Sequence, residues 1–148
     1  NSFDCILFLE TIEHVKNPVE FFKEFHRILK PNGVLILSTP NATSLKNMFY
    51  ALSYRKLEKR KLIINELTKE QKHTGTHLEH IFNWDFPVLV RLLDMCGFET
   101  IDHKFTGSGP IVISILGKKI QIIKRDSKIL NNFETLKTTH VMKARKKN

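Results

Sequence analysis

Asn1-Ser-Phe-Asp-Cys-Ile-Leu-Phe-Leu-Glu-Thr-Ile-Glu-His-Val-Lys16 is the stretch on which the fold turns. Residues 3–9 form an apolar run too short for a helix, rich in strand formers and bounded by polar residues. That pattern fits a central strand of a parallel sheet, covered on both faces. Directly after it stand Glu10, Glu13 and His14, spaced i, i+3, i+4. One helical turn there predicts all three side chains on one side. Parallel sheets hold their ligands just beyond the carboxyl ends of their strands, so this cluster lies where chemistry is expected.

The next residues complete a parallel crossover. Asn17-Pro18-Val19-Glu20 reads as a helix start, with Asn as cap, Pro in first position and Glu three residues after the cap. Phe21, Phe22, Phe25, Ile28 and Leu29 recur at helical spacing as an apolar stripe. Lys30-Pro-Asn-Gly33 stops the helix and turns the chain. Residues 34–39 form a second apolar strand, closed by Pro40-Asn41. Strand, helix, tight turn and strand within about forty residues is the βαβ pattern.

Taken together, Phe3-Asp-Cys-Ile6, Glu13-His-Val15, Arg27-Ile-Leu-Lys-Pro-Asn-Gly33 and Ser38-Thr-Pro-Asn41 resemble the class I S-adenosylmethionine-dependent methyltransferases. The match covers that family's fourth strand, the following helix and the fifth strand. It implies a C-terminal part of a Rossmann-like α/β sheet: two parallel strands, an antiparallel edge pair and flanking helices. It also implies S-adenosylmethionine as cofactor, passing over the backbone around Phe8 and Leu9 and over Glu10. The family's glycine-rich turn after its first strand, and its ribose-holding acid after the second, have no counterpart here. The chain is therefore expected to be the C-terminal portion of a longer enzyme and inactive alone.

Glu10-x-x-Glu13-His14 is sharper than a lone Glu-His pair. It is similar to two subgroups that use a divalent cation, the ubiquinone-pathway O-methyltransferases and the small-RNA 2′-O-methyltransferases. In the second, a later His before Phe-x-Trp completes the metal site, and His80-Ile-Phe-Asn-Trp84 matches that phrase. The resemblance thus implies Mg²⁺ or Mn²⁺ held by Glu10, Glu13, His14 and His80. The alternatives for His14 are an acid/base or orienting role without metal, and a purely structural one. His73, His77, His26, His103 and His140 carry no comparable signal.

Composition sets bounds on the rest. A chain of 148 residues with 41% hydrophobic content is long enough for a sizeable core. Cys5 and Cys96, both in apolar surroundings, read as small core residues in a reducing compartment. A cytoplasmic site, peripheral to a membrane at most, is expected: no apolar run approaches membrane-spanning length, and the start does not resemble a signal peptide. The net charge of +9 is uneven. Residues 1–116 carry 14 Lys and Arg against 13 Asp and Glu, whereas residues 117–148 carry 10 against 2.

We divide the chain into a methyltransferase portion, 1–116, and a basic tail, 117–148. Within the first, residues 42–76 begin with helical spacing that sets Leu45, Met48, Phe49 and Leu52 on one side. The family resemblance implies that this insertion lies beside the acceptor site, a candidate lid. The basic stretch 54–62 offers a surface for RNA or an anionic membrane, or a solvated face with snorkelling side chains. Asp85 with Pro87 opens another helix, with Phe86, Leu89, Val90, Leu93 and Cys96 buried and Gly97 stopping it. Residues 98–105 and 111–116 are expected to pair antiparallel at the sheet edge. The tail is expected to form a short helix and a disordered basic end, a second possible contact for RNA or membrane.

Methyl transfer to O or N of a small-molecule or lipid-linked acceptor is the favoured activity. The alternatives are an RNA-terminal 2′-O-methyltransferase with a divalent metal, and a non-catalytic fragment acting as an interaction module.

Overall fold

The computed structural model describes residues 1–53, 58, 60–61, 80–108, 111–115, 118–123 and 136–147. Strand β1 (Phe3–Leu9) leads through a single 3₁₀ turn (Ile12–His14) to helix α1 (Pro18–Ile28) and strand β2 (Leu29–Pro40). β1 and β2 are parallel, with Ile6 opposite Leu35 and Phe8 opposite Leu37. The βαβ unit is present as the sequence predicts. Asn17 occupies the cap position without a side-chain hydrogen bond, and Pro18 opens the helix. The Lys30-Pro-Asn-Gly33 turn lies inside β2 as an irregularity in the ladder: Phe3 pairs with Leu29 but Cys5 with Val34. Gly33 is required there, because a Cβ would stand 2.8 Å from the Lys30 carbonyl oxygen.

Helix α2 (Leu45–Ser53) follows β2; Met48 and Leu52, expected on its apolar side, are exposed. Helix α3 (Phe86–Met95) begins at Asp85, whose carboxylate accepts from the Val88 amide at 2.9 Å. Leu89, Leu93 and Cys96 are buried as predicted, whereas Phe86 is exposed and lays its ring 4.4 Å from that of His103. Gly97 ends the helix at φ +83, and its Cα faces the His26 ring so closely that a Cβ would stand 2.8 Å from Nε2.

Two further expectations are corrected. Strand β3 (Phe98–Ser108) does not pair with residues 111–116. Its antiparallel partner is strand β6 (Lys137–Lys146), which also pairs antiparallel with β2, so the sheet order is β1-β2-β6-β3. Strands β4 (Ile111–Ile115) and β5 (Lys118–Ile123) pair with each other in a separate two-stranded sheet. Hence the basic end is not disordered: residues 118–123 and 137–146 are strands, and the sheet extends past residue 116. Residues 124–135, where the expected short tail helix would fall, lie outside the described residues. In β6, His140, Met142 and Ala144 alternate with Val141, Lys143 and Arg145; the first three are buried, and the two cations are exposed. Cys5 is exposed, against expectation, and Cys96 is buried.

One face of the sheet carries the core. Phe8 lies against the rings of Phe21, Phe22 and Phe25, at centroid separations of 5.1–6.2 Å. Phe22 reaches on to Phe98, and Leu35, Leu37, Met142, Leu89 and Leu93 fill the layer between sheet and helices. The outcome is a rigid carboxyl-terminal rim on β1 and β2, from which the candidate site projects. Much of the lid candidate and the basic stretch at 54–62, with His73 and His77, lies outside the described residues.

Candidate functional site

The site is built where β1 and β2 end side by side. Glu10 follows β1 in the left-handed region, at φ 45, and its amide donates to the Ser38 carbonyl at 3.0 Å. The chain then enters the 3₁₀ turn, which places Glu13 and His14 in succession. Glu13 is 1% exposed, and its Oε2 accepts a hydrogen bond from the Thr39 hydroxyl at 3.0 Å. Its other oxygen, Oε1, lies 3.9 Å from His14 Nε2.

Glu13 also fixes the third member through its backbone. Its carbonyl oxygen accepts from the amides of Ile81 and Phe82, at 2.8 and 3.2 Å. Those contacts hold the segment that begins with His80 against the 3₁₀ turn. The rings of His80 and His14 stand 4.9 Å apart, edge to face. One ligand atom from each of Glu13, His14 and His80 lies within 4.8 Å of the others. A carboxylate oxygen and two imidazole nitrogens converging in this way form a mixed oxygen and nitrogen donor set fit for a divalent first-row cation.

Glu10 is placed differently from the one-sided turn that the i, i+3, i+4 spacing predicts. Its carboxylate accepts from the Ser38 hydroxyl at 2.6 Å, and among the described residues it is not one of the three whose ligand atoms converge. Instead it lines a pocket of about 490 Å³ with His80, Lys46, Asn47, Asn83, Thr138 and Thr139 among its walls. Phe8, expected near the cofactor, turns its side chain into the core, leaving only its backbone at the rim. Leu9 is exposed.

Several site residues carried no signal in the sequence. Ser38 and Thr39 were legible only as the end of a strand, although that position in a parallel sheet is itself a pointer to ligand contacts. Thr138 and Thr139 reach the pocket because β6 is a sheet strand, which the charged tail concealed. Asn41, nearly fully buried, ties these parts together. Its amide donates to Thr138 O at 2.7 Å, its side-chain amide to Lys137 O at 3.1 Å, and its carbonyl accepts from Asn47 Nδ2 at 2.7 Å.

Residues 1–102 match the model of a family described as methyltransferase domain. The chain belongs to that family. The structure of a methyltransferase from Thermotoga maritima, described as a possible histamine N-methyltransferase, superposes on 99% of the chain and 57% of its own length. Its TM-score is 0.54 at 22% identity, a likeness of fold. Among curated relatives, the mitochondrial ubiquinone biosynthesis O-methyltransferase of Arabidopsis thaliana is 54% identical over 42 residues, covering 28% of this methyltransferase chain and 13% of the relative. The ubiquinone biosynthesis O-methyltransferase of Ruegeria pomeroyi is 29% identical over 114 residues, covering 74% of the chain. The chain spans 40% of that relative's length. No helix among the described residues is long and apolar enough to cross a membrane.

Proposed function

We propose that the whole protein transfers a methyl group from S-adenosylmethionine to a hydroxyl oxygen of a small-molecule or lipid-linked acceptor, with a divalent cation at Glu13, His14 and His80. The convergence of those three side chains within 4.8 Å carries the reading. The ubiquinone-pathway relatives favour an oxygen acceptor of this class. The cofactor supplies the electrophilic methyl, and the protein supplies position and proton management.

In this reading the acceptor enters the pocket bounded by Glu10, His80, Asn47 and Thr139. The polar walls orient it. His14, with nearly half its side chain exposed beside the buried Glu13 carboxylate, serves in this reading as a ligand rather than as the base for the hydroxyl proton. Glu10, at the rim and held by Ser38, forms part of the pocket wall. A cation held by Glu13, His14 and His80 would supply Lewis acidity, lowering the pKa of a nearby hydroxyl. The ligand set suits Mn²⁺ better than Mg²⁺, since imidazole nitrogen favours the softer ion.

The test is transfer of labelled methyl by the full-length protein to an acceptor bearing vicinal hydroxyls, after exhaustive chelation and again after adding Mn²⁺. The reading expects activity lost on chelation and restored by Mn²⁺. Full activity in chelator contradicts the metal, and absence of S-adenosylmethionine binding contradicts the transferase.

A further inference from the structure

Ser38 and Thr39 are consecutive residues on β2, so their side chains leave opposite faces of the strand. Each nevertheless ends on a carboxylate of the Glu10-x-x-Glu13 turn: Ser38 Oγ on Glu10 Oε1 at 2.6 Å, Thr39 Oγ1 on Glu13 Oε2 at 3.0 Å. The two hydroxyls grip the turn from both sides of the strand. Ser38 grips it twice, since its Oγ also accepts from the Glu10 amide at 3.1 Å.

We propose that this adjacent pair of hydroxyls gives the two glutamates different tasks: Thr39 is the positioning residue that presents Glu13 to His14 and His80, and Ser38 draws Glu10 away to the pocket wall. The inference rests on reading Glu13, His14 and His80 as a divalent-cation site. With Oε2 occupied by the Thr39 hydroxyl, rotation of the Glu13 carboxylate is blocked and Oε1 is the oxygen left toward His14 Nε2. Thr39 is fully buried, so water is not at hand to replace its hydroxyl. Partners of metal ligands that act in this way set ligand orientation and basicity. Ser38 explains in turn why Glu10, three residues before Glu13, does not join the same trio.

The experiment is Mn²⁺ binding to the full-length protein, followed by electron paramagnetic resonance, with circular dichroism confirming the fold. Thr39→Val keeps the side-chain shape and removes the donor; it is expected to weaken Mn²⁺ binding about 10- to 100-fold, with Thr39→Ser recovering to within about threefold of the native protein. Ser38→Ala is expected to leave Mn²⁺ affinity within about threefold, because Glu10 is not a ligand. Should Thr39→Val fail to fold, Thr39→Ala is the variant compared with Thr39→Ser. Native protein that binds Mn²⁺ alongside an unaffected Thr39 variant overturns the positioning role alone. Equal losses in the Ser38 and Thr39 variants overturn the division of tasks. Native protein that binds no Mn²⁺ overturns the cation site and this inference with it.

Discussion

His140 on β6 and His103 on β3 meet with Nδ1 and Nε2 3.0 Å apart. His140 is fully buried, wedged against the rings of Phe105 and His103. Burial first, and His103 second, push its pKa down from 6.5 to about 4, while the Trp84 backbone and Asp85 pull the other way. His140 therefore rests neutral near pH 7, hydrogen-bonded to the His103 ring, and the contact stitches the tail strand to β3.

Stability should depend on this pair in a definite sense. Above pH 6.5 His140 is neutral whether folded or unfolded. Below that value the unfolded chain takes up a proton that the folded protein refuses until about pH 4. Between pH 7 and pH 5 the His140 contribution alone should lower stability by about 2 kcal/mol. Denaturant titrations at the two pH values check this. His140→Gln should flatten that part of the difference, and an unchanged slope in the variant speaks against it.

Gly97 should tolerate no side chain. Its φ of +83 and the His26 ring facing its Cα penalise Gly97→Ala through both backbone and contact, by about 1–3 kcal/mol. Chemical denaturation of the variant gives the number. A loss under about 0.5 kcal/mol, the range of an ordinary surface change, contradicts the geometry.

Adjacent residues of β6 should behave oppositely if the tail is a sheet strand. Met142 is fully buried and Lys143 is exposed. Met142→Ala should cost about 2–5 kcal/mol, and Lys143→Ala no more than about 0.5 kcal/mol. Equal small effects at both positions, read from melting or denaturant curves, would return the tail to the solvated segment that its charge predicts.

The contrast between β1 and β6 shows what the sequence makes legible. Phe3–Leu9 is apolar at nearly every position, so its run, its helix and its partner β2 were all readable. Yet β1 stands at the end of the described sheet, with Phe3, Cys5, Leu7 and Leu9 exposed and Phe8 alone buried. In β6 the inward residues are His140, Met142 and Ala144, of which only Met142 is strongly apolar. They alternate with Lys143 and Arg145, so charge hides a period of two. Its partners are also remote, β2 lying about a hundred residues earlier in the chain. No local pattern specifies such a pairing. The convergence of Glu13, His14 and His80 was legible from the Glu-x-x-Glu-His and His-x-Phe-x-Trp phrases through the family they resemble. The diversion of Glu10 was not, because it depends on the hydroxyl of Ser38 across a strand pair rather than on helical spacing.

The most direct measurement is a Mn²⁺ titration of the full-length protein and of His80→Ala, by calorimetry at pH 7.5. The account predicts saturable binding near one ion per chain in the native protein and a loss of at least about tenfold in the variant, since the imidazole opposite His14 is gone. Binding of equal strength in both proteins, or none in the native one, contradicts a cation at Glu13, His14 and His80.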